Sequence, residues 1–136
     1  MSKISGPLLD RIDLHLEVPS LPSSDLLSHT QIETSKEIKE RTVKARAHQY
    51  QRFSQTVIVA NSHMNHRQIK EYCALDDEGK KLLKMAIDEL GFSARAYDKV
   101  LKVARTIADL ADKENIGSTH IAEAIQYRSL DRSWWG

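Results

Sequence analysis

A broad apolar stripe on one predicted helix, between Ser93 and Asp112, most constrains how this chain can fold. Its apolar residues recur at the i, i+3, i+4, i+7 spacing of an amphipathic helix. They are Tyr97, Val100, Leu101, Ala104, Ile107, Ala108 and Ala111. Gly91 is suited to end the preceding helix, and Ser93 to cap the new one. Because so wide a stripe must be covered by other elements, this helix is predicted to lie at the centre of the core.

Four more segments are predicted to be helical, which makes the chain mainly α. They cover residues 35–53, 66–72 after Asn65, a stretch from about 76 to Gly91, and a last helix from Ser118 or Thr119 to about Leu130. The helix over 35–53 has a thin predicted apolar face of Ile38, Val43, Ala47 and Tyr50. The last three helices have stronger apolar faces, so we expect a bundle of antiparallel neighbours.

The segment from Ile12 to Val18 alternates strictly between apolar and polar residues, which predicts a half-buried β-strand. Residues 55–60 are a short second candidate, and two such strands cannot form a sheet with a useful core. The first strand is therefore predicted to be an orphan whose partners lie upstream. Residues 1 to about 30 are expected to be mobile or misplaced, or to pair with another chain.

Composition excludes several classes of function and sets the domain layout. The net charge of +1 gives no overall case for nucleic-acid or membrane binding, and no apolar run reaches the roughly 18 residues that span a bilayer. A single cysteine and no signal-peptide core favour a cytoplasmic location. Prolines and serines over 19–34 indicate a linker, which leaves a helical domain over 35–132 and an aromatic tail over 133–136.

Two arginines are candidates for contact with an anion. Arg95 lies in the first turn of the central helix and off its apolar stripe, where the helix dipole disfavours a cation. Arg11 precedes the predicted strand. From the residues alone, a solvated surface role is the commoner explanation of Arg95, with an anion contact suited to its planar guanidinium as the alternative. For Arg11 a salt bridge with Asp10 or Asp13 and a phosphate contact explain the sequence equally.

The remaining candidates are a basic helix and a possible metal set. The helix over 35–53 has six basic and two acidic side chains, and Lys36, Lys39, Lys44 and Arg46 are candidates for contact with a nucleic-acid backbone. A solvated helix with i, i+4 ion pairs is the commoner explanation. His63, His66 and Cys73 lack a fourth ligand at a recognisable interval, so no metal site is predicted.

Two segments carry a resemblance to a known family. Ile-Ser-Gly-Pro-Leu-Leu-Asp-Arg-Ile-Asp-Leu-His (4–15) resembles the end of the ATPase core in the bacterial magnesium-chelatase-like AAA+ family, the YifB/ComM competence proteins. Ser-Ala-Arg-Ala-Tyr-Asp-Lys-Val-Leu-Lys-Val-Ala-Arg-Thr-Ile-Ala-Asp-Leu (93–110), followed by residues 120–128, is similar to that family's C-terminal lid. Residues 1–18 would then be a remnant of the core, ahead of the lid.

The resemblance implies a ring ATPase, a hexamer of this protein, that holds ATP and Mg²⁺ between subunits and acts on DNA in branch migration. Arg11 falls on the arginine-finger position, which reaches a neighbouring subunit's nucleotide, and Arg95 falls on the sensor-2 position. The sequence lacks the phosphate loop Gly-x-x-x-x-Gly-Lys-Ser/Thr, so these residues alone are expected to bind no ATP and to be catalytically silent. The alternatives are a stand-alone helical DNA-binding module and a chelatase accessory domain for protein interaction.

Overall fold

The structure is a computed structural model that describes residues 6–20, 22 and 32–128. Its helices are α1 (Gly6–Leu9), α2 (Ser35–Arg52), α3 (His66–Tyr72), α4 (Asp77–Leu90), α5 (Ala94–Leu110) and α6 (Ser118–Gln126), with a 3-10 turn at Asn61–His63. The described residues are thus mainly helical, as predicted, and form no β-strand. Most of the predicted linker, the end of the predicted last helix and the tail lie outside the described residues.

Local capping residues set the helix boundaries. The side chains of Asn65, Asp76 and Ser93 each accept a hydrogen bond from the backbone N–H three residues later, which satisfies a donor that the helix leaves unpaired. Gly91 ends α4 with φ of 65°, a left-handed conformation that glycine adopts without strain. At α6 the prediction was wrong, because Gly117 is the N-cap and its N–H donates to Nδ1 of His120 at 2.9 Å.

Helix α5 lies at the centre of the core, as its stripe predicts. It packs against α2, α3 and α6, and α6 also packs against α4. Val100, Ala104 and Ala108 are fully buried, whereas Ala111 at the end of the stripe is exposed. The core also contains Phe53, Met64, Ile69, Cys73, Leu83, Leu101, Ile116, Ile121 and Ala124. The predicted helical bundle is confirmed, with one face of α5 as its shared surface.

The face that α2 buries differs from the one predicted. The buried residues are Ala45 and Gln49, whereas the predicted face of Ile38, Val43, Ala47 and Tyr50 is exposed. Gln49 is suited to burial because its Oε1 accepts a hydrogen bond from the backbone N–H of Asn61 at 3.0 Å. Polar pairing with another segment therefore decided the orientation of this helix, against its weak apolar pattern.

The strand predicted from Ile12 to Val18 is absent, and so is the one predicted over 55–60. Only His15 of this segment is buried, and its backbone N–H donates to the carbonyl of Tyr127 at 2.7 Å, whereas Leu16 and Val18 are exposed together with the polar Asp13 and Glu17. Since no neighbouring strand lies within the described residues, the backbone here pairs with the end of α6. The predicted mobility of residues 1 to about 30 stays a prediction.

Candidate functional site

Arg95 lies in the first turn of α5, with more than half of its side chain exposed. Its Nη1 is 3.6 Å from Oδ2 of Asp10, and the other carboxylate oxygen of Asp10 accepts a hydrogen bond from Oγ of Ser93 at 3.0 Å. Ser93 also caps the helix, and the N-terminal end of a helix favours a negative group. The start of α5 therefore presents a cation and a hydroxyl to an anionic partner, here a carboxylate.

Arg11 is held by its backbone and leaves its side chain exposed. Its N–H donates to the carbonyl of Leu8 at 3.0 Å, and its own carbonyl accepts a hydrogen bond from Nζ of Lys99 at 2.7 Å. Lys99 also forms an ion pair with Asp13. The guanidinium of Arg11 makes no ion pair with any of the described residues, so it is available for an external anion.

The segments that carry the two arginines, far apart in the sequence, are in contact. Asp10 contacts Ser93 across 83 residues of sequence, and Arg11 follows Asp10 directly. One helical turn further along α5 from Arg95, Lys99 holds Arg11 and Asp13. The segment that carries Arg11 is thus attached to the first two turns of the helix that carries Arg95.

The basic residues of α2 form a separate surface. Lys36, Lys39 and Lys44 are exposed and make no ion pair within the described part of the chain. At 100° per residue Lys36 lies opposite the buried Ala45 and Gln49 on α2, with Lys39 and Lys44 on either side of it. Arg46 lies nearer the buried side, since it is half-buried and its Nη1 is 3.5 Å from Oε1 of Gln49, and its guanidinium stacks on the exposed ring of Tyr50 at 4.9 Å. No hydrogen bond or ion pair among the described residues joins this surface to Arg11 or Arg95.

A buried polar cluster, absent from the sequence-based predictions, joins α2, the 3-10 turn and α5. Arg52 donates two hydrogen bonds to Asp109, at 2.9 and 2.5 Å, and Asn61 donates one at 2.8 Å. Nε of Arg105 is 3.2 Å from the same carboxylate, and its two Nη atoms donate to the carbonyls of residues 113 and 114. Almost every donor and acceptor of the cluster is therefore satisfied.

The cluster sets the charge balance at the C-terminal half of α5. Burial lowers the pKa of the Arg105 guanidinium, and the carboxylate of Asp109 opposes that effect. The guanidiniums of Arg52 and Arg105 share the carboxylate of Asp109, which is only 1% exposed. Asp109 is therefore the counter-charge of both arginines. Arg105 and Asp109 are charged residues four positions apart on the buried side of α5, and this spacing is the feature of the sequence from which the cluster could have been predicted.

The family comparison identifies the domain that contains Arg95 and the cluster. The model described as magnesium chelatase, subunit ChlI C-terminal, matches residues 32–128. The chain belongs to this magnesium-chelatase family. All helices from α2 to α6 fall within the matched range, whereas Arg11 precedes it.

Curated relatives extend the similarity to nearly the whole chain. The chain is 40% identical to the competence protein ComM of Haemophilus influenzae over 133 residues, which are 97% of this chain and 25% of that protein. It is 39% identical to the YifB protein of Escherichia coli over 134 residues, 97% of this chain and 26% of that protein. An uncharacterised Mycobacterium bovis protein is 28% identical over 94% of this chain and 25% of its own length. The resemblance to the ComM/YifB proteins is therefore confirmed, and the chain spans about a quarter of the length of these relatives.

The histidines and the cysteine of this chelatase-family domain are not grouped around a common point. His63 and His66 are exposed, and Nδ1 of His66 pairs with Asp98 at 3.0 Å. Cys73 is buried in the core, which raises the pKa of its thiol to about 11. Within the described residues, no three histidine, cysteine or acidic side chains lie close enough to hold a metal ion together.

None of the described helices is long and apolar enough to cross a membrane.

Proposed function

We propose that this chain is the lid region of a cytoplasmic AAA+ ATPase ring and supplies Arg11 and Arg95 to ATP hydrolysis. The observation that carries the proposal is the attachment of the Arg11 segment to the start of α5 through Asp10, Ser93 and Lys99. Because this arrangement holds two exposed arginines on segments that are in contact, we assign both to the same bound nucleotide. With Arg11 as a finger directed at a neighbouring subunit, Arg95 reaches that neighbour's nucleotide as well.

The contact between Asp10 and Arg95 suits exchange for a phosphate. Arg95 is exposed, Asp10 is partly exposed and the two are 3.6 Å apart, and ion pairs open to solvent contribute about 1 kcal/mol or less. A triphosphate carries more charge than one carboxylate and can accept a two-pronged contact from a guanidinium. We expect Arg95 to leave Asp10 for the nucleotide and Arg11 to stabilise the charge that develops during phosphoryl transfer.

The buried cluster gives this exchange a mechanical consequence. Arg52 and Asp109 tie α2 to α5 through groups that are costly to separate in a buried setting. A displacement of the start of α5 towards a phosphate therefore moves α2 with it. ATP and Mg²⁺ are held elsewhere in the ring, because these residues contain no phosphate loop. In this proposal the lid movement drives work on DNA, as in branch migration.

The test is ATP hydrolysis by the whole protein that contains this chain. We expect Arg11→Ala to lower kcat by about 10³-fold and Arg95→Ala by about 10²-fold. Arg67→Ala is the matched control, since Arg67 is exposed on α3 and makes no hydrogen bond or ion pair with the described residues. Parental kcat in both Arg11→Ala and Arg95→Ala would refute the proposal.

A second function, contact with a nucleic-acid backbone, is favoured by the exposed side chains of α2. Its exposed lysines and the stacked Arg46–Tyr50 pair combine cations with an aromatic ring. We expect the chain to bind duplex DNA at low salt, with affinity that falls steeply as salt rises. Replacing Lys36 and Lys39 with alanine should reduce the salt slope by about 2, whereas Lys84→Ala on α4 should not change it. Absence of binding at low salt would remove this function.

A further inference from the structure

We infer that Lys99 is a positioning residue for Arg11, an inference that rests on the function proposed above. Nζ of Lys99 donates to the carbonyl of Arg11 at 2.7 Å and forms an ion pair with Asp13. Only 14% of the Lys99 side chain is exposed, against 62% of that of Asp13. A shielded cation therefore fixes the backbone of Arg11 and the residue two positions further along.

The contacts around Arg11 hold the chain on both sides of it. On the N-terminal side, Asp10 accepts from Ser93 at 3.0 Å and contacts Arg95. On the C-terminal side, Asp13 is held by Lys99. None of these contacts uses the guanidinium of Arg11, which stays exposed. This arrangement fixes the backbone of Arg11 and leaves its exposed side chain able to contact a group outside the chain.

Apolar contacts contribute little to the attachment of residues 11–16 to α5. A cavity of about 360 Å³ lies between residues 13–16 and α5, and Leu14, Leu16, Val103 and Ile107 are among its lining residues. Leu14 and Leu16 are 46% and 65% exposed, so they contribute little buried surface.

The position of Arg11 matters because the finger acts only when it is aligned with the transferred phosphoryl group. A misplacement of about 1 Å at a catalytic group can cost about 10²-fold in rate. Lys99 has no need to touch the nucleotide itself. Its loss should lower kcat through Arg11 and leave the KM for ATP close to the parental value.

The test compares Lys99→Met in the whole protein with the same change in an Arg11→Ala background. We expect Lys99→Met to lower kcat at least tenfold in the parental background and to have no further effect once Arg11 is alanine. Lys102→Met is the matched control, since Nζ of Lys102 donates to the Ser62 carbonyl at 3.0 Å on the same helix. It should leave kcat unchanged.

Equal losses in both backgrounds, or parental kcat in Lys99→Met while Arg11→Ala is slow, would overturn the role of Lys99 and leave that of Arg11 standing. Parental kcat in Arg11→Ala would instead remove the finger assignment itself, and the role of Lys99 with it. Hydrogen exchange on the chain gives a readout that does not depend on ATP. The amides of Ile12 and His15 should exchange faster in Lys99→Met, whereas those of Val100 and Ala104 should not change; unchanged exchange at Ile12 and His15 would overturn the inference.

Discussion

Arg52 and Asp109, 57 residues apart in the sequence, form a two-pronged pair with distances of 2.9 and 2.5 Å. Arg52 ends α2, and Asp109 lies in the last turn of α5. Because Asp109 is buried and also serves Arg105 and Asn61, one carboxylate links three segments of the domain. This pair links the end of α2 to the last turn of α5, and in the proposed function it transmits a movement of α5 to α2.

Asp109→Ala should lower the free energy of unfolding by about 3–5 kcal/mol, because the buried guanidinium of Arg105 and the largely buried one of Arg52 lose their counter-charge. Urea unfolding followed by circular dichroism measures the loss. Asp88→Ala is the control, since Asp88 is exposed on α4, and a change within about 0.5 kcal/mol is expected there. A loss for Asp109→Ala that matches the control would show that the cluster does not hold the helices together.

The buried thiol of Cys73 should make the free energy of unfolding depend on pH in the alkaline range. Burial raises the pKa of its thiol to about 11, whereas an unfolded thiol titrates near 8.5. The native state therefore keeps this proton at pH values where the unfolded state loses it, and the stabilisation by the neutral thiol falls as pH rises through this window. At about pH 10.5 the free energy of unfolding should have lost about 2–3 kcal/mol more than in Cys73→Ala, relative to pH 8. Identical pH profiles for the two proteins would contradict the burial of this thiol.

Gly91 is required for its backbone conformation. A Cβ at this position would meet no atom within 4 Å, so the cost of a side chain comes from the positive φ of 65° alone. Gly91→Ala should destabilise the domain by about 1 kcal/mol, and Gly91→Asn by less, because asparagine tolerates the left-handed region. Thermal unfolding compares the two variants. If Asn is as costly as Ala, the strain explanation is wrong.

Arg11→Ala and Arg95→Ala should each change the free energy of unfolding by less than about 0.5 kcal/mol, because both side chains are exposed and only Arg95 makes an ion pair. Arg105→Ala provides the contrast, since Arg105 is buried and its loss should be far more costly. Urea unfolding of all three measures this. A loss above 1.5 kcal/mol for either exposed arginine would mean that it has a structural role.

The helix ends could be predicted from the sequence because their signals are local. Asn65, Gly91 and Ser93 each act within one turn of the chain, and the structure confirms the boundary that each one marks. Two starts were displaced by one residue, since Asp76 caps α4 instead of lying in its first turn, and Gly117 caps α6. The apolar stripe of α5 is equally local, since its period is set by the helix itself. These features needed no knowledge of what lies next to them.

The errors came from positions where another segment decides the outcome. Gln49 is buried because the N–H of Asn61 needs an acceptor, and no property of the α2 sequence reveals that partner. His15 is buried on the end of α6, although an alternating pattern predicts that it faces solvent. The contact between the Arg11 segment and the start of α5 likewise depends on residues far apart in the sequence, so the sequence named both arginines without showing that their segments meet.

Subunit mixing of the whole protein tests the proposed shared nucleotide contact most directly. Arg11→Ala and Arg95→Ala proteins would be combined in equal amounts, and ATP hydrolysis compared with that of each variant alone. If both arginines reach the same neighbouring nucleotide, no subunit of a mixed ring supplies a complete pair, and the mixture should be as inactive as its components. If Arg95 instead serves its own subunit's nucleotide, about a quarter of the sites in a random ring become complete. Recovery of about a quarter of the parental rate would therefore contradict the shared contact.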